Sequence, residues 1–126
     1  MKTFGLTVLV GVLIYFLHSY LPWYSPMIFS ILVFAIFELK LGNVITAAFF
    51  GSVLASLLMT FLIDSANEAI LSNRIAGIFG LTSGIYLHVI TALIAGISGI
   101  LGGFLGYSFR RMIVKRRKDN VYYGGR

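Results

Sequence analysis

Four apolar runs, each closed by a short polar or aromatic break, divide the chain at residues 4–20, 26–41, 44–63 and 84–113. The last is the longest, and the basic cluster follows directly after it. As a helix, residues 84–114 would reach roughly 45 Å, more than the roughly 30 Å hydrocarbon core of a bilayer. Its small residues, Ala92, Ala95, Gly96, Gly99, Gly102, Gly103 and Gly106, recur at steps of three and four, which places most of them on one helix face. The third run carries a matching stripe of Ala47 and Ala48, Gly51 and Ser52, Ala55 and Ser56. The spacing predicts that Ala47, Gly51 and Ala55 meet Ala92, Ala95, Gly99, Gly103 and Gly106. Ser52 and Ser56 are placed to hydrogen-bond across that joint.

The breaks predict the remaining elements. Ser25-Pro26 suits a helix start, since serine caps and proline fits the first turn. Gly42-Asn43 predicts a tight turn. Ser65-Ala66-Asn67-Glu68 matches a capping box. Ile70, Leu71, Arg74, Ile75 and Ile78 follow at helical spacing, so residues 66–79 are expected as a short amphipathic helix lying in an interface. Tyr20, Trp23 and Tyr24 form an aromatic cluster of the kind found at headgroup level. The second run is short for a crossing helix, and a re-entrant segment is its alternative.

Composition narrows the class. Hydrophobic residues make up 59% and charged residues 11%, against about 25% charged in soluble domains. The expectation is an all-α integral membrane protein: four transmembrane helices, with the short interfacial helix between the third and fourth. Residues 1–114 form this domain, and 115–126 a basic, mobile tail.

Charge placement supplies the orientation. Of ten basic residues, six fall between Arg110 and Lys118. With four spans, Lys2, Lys40 and this cluster share one side while Arg74 lies opposite. The positive-inside rule then predicts a multi-pass protein of the cell membrane with both termini cytoplasmic. Arg110, Arg111, Lys115, Arg116, Arg117 and Lys118 are expected at lipid headgroups, and Glu38 is expected to snorkel and serve orientation, with pairing to Lys40 or the basic tail its alternative. The net charge of +6 is thereby explained without nucleic acid.

Candidate chemistry is sparse. No cysteine is present, which excludes disulfides and thiolate metal sites. No span has a charge near its middle, which argues against a proton relay. His18, Asp64, Glu68 and His88 all lie toward one membrane face. Such a set can hold a divalent metal such as zinc or form a pH-sensitive lock, but the separations show no ligand spacing. Polar residues satisfied by water and headgroups are therefore expected, with His88 a packing histidine. Neither a phosphate loop, a nucleophile elbow nor H-E-x-x-H occurs. The sequence predicts a non-enzyme without cofactor, partnered by the lipid bilayer and by itself or another membrane protein. Two other readings are an oligomeric channel or small-solute or lipid transporter lined by Ser52, Ser56, Thr60, Thr91 and Ser98, and a holin-like pore former.

Overall fold

The structure, a computed structural model, describes residues 1–17, 20 and 24–123, with side chains through Val114. Among these residues there are helices and no strand: α1 (Lys2–Leu17), α2 (Ser25–Ile36), α3 (Leu41–Ala66), α4 (Ile70–Ile78) and α5 (Ile85–Tyr123). The basic segment from residue 115 to 123 continues α5 instead of leaving it as a tail. Its Lys and Arg are good helix formers, and no glycine interrupts it before Gly124.

Among the described residues two helices, not four, are long and apolar enough to cross a membrane, over Leu41–Ala66 and Ile85–Val114. The 16 residues of α1 and the 12 of α2 give roughly 24 Å and 18 Å of helix rise. Both fall short of the roughly 30 Å expected of a full span. The reason for α2 is at its ends. Pro26 lies in its first turn, with Tyr24 and not Ser25 at the capping position, and Phe37 turns extended at the other end. Lys40 then starts α3 early, so Gly42 and Asn43 lie in its first turn where a tight turn was expected.

The corner between α3 and α4 also departs from the sequence reading. Ser65 donates its hydroxyl to the Phe61 carbonyl, a local bond that keeps it within α3, and no capping box forms. Instead α3 closes with the Ala69 amide on the Asp64 carbonyl and the Glu68 amide on the Ser65 carbonyl. That is a Schellman motif, with Glu68 at φ 53° in the left-handed position that glycine usually takes. The end of α4 repeats the motif with Gly80 at φ 70°, Leu81 bonding to Ala76 and Gly80 to Gly77.

Around the bundle α1, α3, α5 and α2 follow in turn, and α1 and α5 stand at opposite corners. Lys2, Lys40, Asn43 and Arg110 come together at one end, while Ile14, Pro26, Ile63 and Thr91 gather toward the other. Thus α1 and α3 run one way, α2 and α5 the other. The interior holds Val10 and Ile14, Phe29, Val33 and Phe34, and Val44, Ala47, Ala48 and Ala55. On α3 and α5 the larger side chains point mostly outward. Phe50, Leu54, Leu58 and Phe61 of α3 and Leu93, Ile97, Leu101 and Phe104 of α5 are each about half exposed.

Glycines set the joints. Gly99 lies against Ser52 and the Ala48 carbonyl, and Gly103 against Ala48 and Val44, so this pair faces α3. Gly102 lies against the Met27 backbone, and a methyl group on Gly106 would sit 2.6 Å from the Ile31 carbonyl oxygen, so this second pair faces α2. Three residues along a helix of 3.6 residues per turn leave the two pairs about 60° apart, which matches two neighbours. Gly51 faces Thr7 and Val10 of α1, so the small stripe on α3 is shared between α1 and α5. The hydroxyl of Ser52 finds no partner, and the cross-joint bond expected of it does not form.

A clear contrast between glycines follows. Gly102→Ala drives a methyl into backbone and is expected to cost about 1–3 kcal/mol. Gly5, in the interior of α1 with nothing near its missing side chain, should tolerate alanine with a gain of up to about 1 kcal/mol. Chemical unfolding followed by circular dichroism measures both, and equal effects would contradict the packing described.

Candidate functional site

The polar groups gather at the two ends of the bundle. At the end where α3 passes into α4, Asp64 Oδ2 and His88 Nε2 are 2.9 Å apart, with the side chains 17% and 14% exposed. The pair joins α3 to α5. Ser72 of α4 lies beside the same carboxylate with its hydroxyl donated to the Ala69 carbonyl at 3.1 Å, and the Gly84 amide donates to Asn73 Oδ1 at 3.0 Å. Buried Gly84 lets α4 lie close, since a methyl there would sit 2.6 Å from the Ser72 hydroxyl. Three helices are thereby tied at one corner.

Of the four candidate metal ligands, the structure brings together Asp64 and His88. Glu68 is exposed on the turn that follows, and His18 lies outside the described residues. Among the described residues, no three His, Cys, Asp or Glu gather to hold a metal. Asp64 and His88 form a hydrogen-bonded pair between α3 and α5.

Below this corner is a cavity of about 280 Å³, lined by Ile14, Pro26, Ala55, Met59 and Ile63 and by three hydroxyl residues, Ser56, Thr60 and Thr91. Thr60 donates to the Ser56 carbonyl and Thr91 to the Leu87 carbonyl, each at 2.8 Å. Their donors are spent within their own helices. Ser98 likewise donates to Ile94, and Ser52 is packed on Gly99.

At the opposite end Arg110 reaches from α5 to the last turn of α2. Its Nη1 donates to the carbonyls of Ile36 and Ala35, and Nη2 lies 3.4 Å from Glu38 Oε2. The carbonyls at a helix end lack intrahelical donors, and they carry partial negative charge. A guanidinium fork meets both needs. Arg110, assigned from the sequence to lipid headgroups, is thus a clasp between α5 and α2. Glu38 reaches the guanidinium while staying exposed, and the spacing gave no sign that backbone carbonyls would share it.

Around the clasp opens a cleft of about 950 Å³, lined by Lys2, Lys40, Arg110 and Arg111, by Glu38, and by Thr3, Asn43, Leu39, Tyr107 and Val114. The side chains of Lys115, Arg116, Arg117 and Lys118 lie outside the described residues. Of the packing residues, Ala47, Gly51, Ala55, Ala92, Ala95, Gly99, Gly103 and Gly106 are all buried.

Comparison of the chain with known protein families, with curated proteins and with solved structures finds no match.

The tie at the first corner makes a quantitative expectation. In a double-mutant cycle of Asp64→Asn and His88→Gln, the coupling energy should be about 1 kcal/mol, as for directly hydrogen-bonded neighbours. Unfolding of the four chains measures it. Strict additivity would show that the contact contributes nothing.

Proposed function

We propose that the chain is a non-enzymatic integral membrane protein serving as an accessory subunit of a larger membrane complex. The observation that carries this reading is the distribution of bulk: small residues at the helix joints, large apolar side chains outside. Ordinary soluble monomers rarely expose apolar patches beyond a few hundred Å². Here the outward faces of α1, α3 and α5 are apolar over most of their length, Val8, Val12 and Phe16 of α1 among them. In lipid that surface is solvated. Close helix contact then supplies association, because hiding apolar surface gains little there. Leu71, Ile75 and Ile78 of α4 are also exposed and share one helix face, as suits a helix lying on the bilayer.

In this reading α3 and α5 cross, with Lys2, Lys40, Arg110 and Arg111 at the cytoplasmic face and Arg74 at the other. The helices α1 and α2 enter together from the cytoplasmic side. Met27, near the start of α2, sits level with Gly102, and α5 runs about 26 Å beyond that level to Ile85. That register favours the re-entrant alternative for α2 over a full span. The glycine pairs of α5 are filled from within the chain, so a partner would dock on the outer apolar faces.

A second reading, a small-solute or lipid transporter, draws on the shared cavity of Ser56, Thr60 and Thr91. Against it, Gly99 and Gly103 close tightly on Ser52, Ala48 and Val44 between that cavity and the basic cleft. Among the described residues the ion pairs, Asp64 with His88 and Glu38 with Arg110, join helix to helix, which supports the non-enzymatic reading, and no polar lumen for a holin-like pore lies between them.

Purification from native membranes in mild detergent is expected to bring down a larger complex, and Asn73→Cys should react with impermeant reagent from outside while Asn43→Cys reacts only after permeabilisation. A strictly monomeric particle would sink the subunit reading. Protein recovered in solution without detergent would sink the membrane reading itself.

A further inference from the structure

We propose that the basic cleft is a binding site for an anionic phospholipid headgroup, engaged through its phosphate. The proposal rests on the membrane reading above. Three elements build the cleft: Lys2 and Thr3 from α1, Glu38, Leu39, Lys40 and Asn43 from the α2–α3 connection, and Tyr107, Arg110, Arg111 and Val114 from α5. Four cations face it against one carboxylate.

Glu38 is already taken by Arg110, and Arg110 is committed to the carbonyls of Ala35 and Ile36. Among the described residues no carboxylate pairs with Lys2, Lys40 or Arg111. These three converge from separate parts of the chain, leaving an excess positive field that a phosphate would neutralise. Its volume of about 950 Å³ is within the range of small-ligand sites, about 300–1,000 Å³. Thr3, Asn43 and Tyr107 offer hydroxyl and amide groups for a polyol headgroup.

The apolar lining favours lipid over a free anion. Leu39 and Val114 line the same cleft, and the neighbouring Phe37 and Ile113 are exposed, so acyl chains leaving the headgroup meet apolar surface. The cleft also lies at the end of the bundle that the positive-inside rule assigns to the cytoplasmic leaflet, where anionic lipids are concentrated and basic pockets between helices take such headgroups.

The test uses the full chain in neutral detergent, with native mass spectrometry counting retained lipid during titration with phosphatidylglycerol or with phosphatidylcholine of the same acyl chains. One phosphatidylglycerol should be retained in preference to phosphatidylcholine. Lys40→Gln and Arg111→Gln should each weaken retention about fivefold, and together about 25-fold. The charge-preserving pair Lys40→Arg and Arg111→Lys should keep it, which separates loss of charge from loss of fold. Arg74→Gln, a loss of charge on α4 at the opposite end of the bundle, should leave it within about twofold. Equal retention of the two lipids, or equal weakening by Arg74→Gln and by Lys40→Gln, would overturn the proposal. So would binding of inorganic phosphate with no lipid retained. Protein soluble without detergent would sink this site together with the membrane reading, whereas detergent-dependent protein without lipid preference would sink the site alone.

Discussion

The backbone of α5 lies directly on the backbones of two other helices, and the rest of the bundle is arranged to allow it. Gly102 and Gly106 admit α2, while Gly99 and Gly103 admit α3. A side chain at Gly99, Gly102 or Gly106 would meet the backbone of the neighbouring helix and have to push it away. In water such a glycine-rich helix would be a liability of about 1 kcal/mol per glycine relative to alanine. In an apolar surrounding the backbone hydrogen bonds are enforced in any case, and slim helices gain more from contact than bulky ones do. The same constraint explains the outward large side chains, since little volume is left for them inside.

With the middle of the bundle given over to contact, polar work falls to the ends. Arg110 closes the free carbonyls of α2, a helix of only 12 residues that would otherwise leave them exposed. Asp64 and His88 do the corresponding task at the far corner, where α3 hands over to α4 through the strained left-handed pair Glu68 and Ala69. Each end thus ties α5 to a neighbour by a charged or ionisable pair, and the glycine seam fixes the spacing between them.

The long final helix, its glycine face and the start of α2 at Pro26 were all legible in the residues. Their partners were not. Two glycine pairs at a spacing of four look alike on paper, and only the 60° between them decides that one meets α2 and the other α3. Gly51 reads as part of the same stripe as Ala48 and Ser52, yet one step around α3 turns it toward α1. The capping box failed because Ser65 has a nearer acceptor in the Phe61 carbonyl, a competition that a four-residue motif does not record. The charge pattern placed Arg110 at the correct end but not on its acceptors, which are backbone atoms and leave no trace in a sequence. The length of α2 was overestimated because apolar character continues through Phe37 and Leu39 after the helix has ended.

The seam can be read most directly by cross-linking, because the chain has no cysteine of its own. A methyl group on Gly103 would lie 3.0 Å from the Ala48 side chain, close enough that a small outward shift reaches the roughly 3.5–4.5 Å between the Cβ atoms of a disulfide. Ala48→Cys combined with Gly103→Cys, mildly oxidised in native membranes, should close a link within one chain. Failure to link, or a link formed only between two chains, would mean that the glycine face of α5 rests on something other than α3.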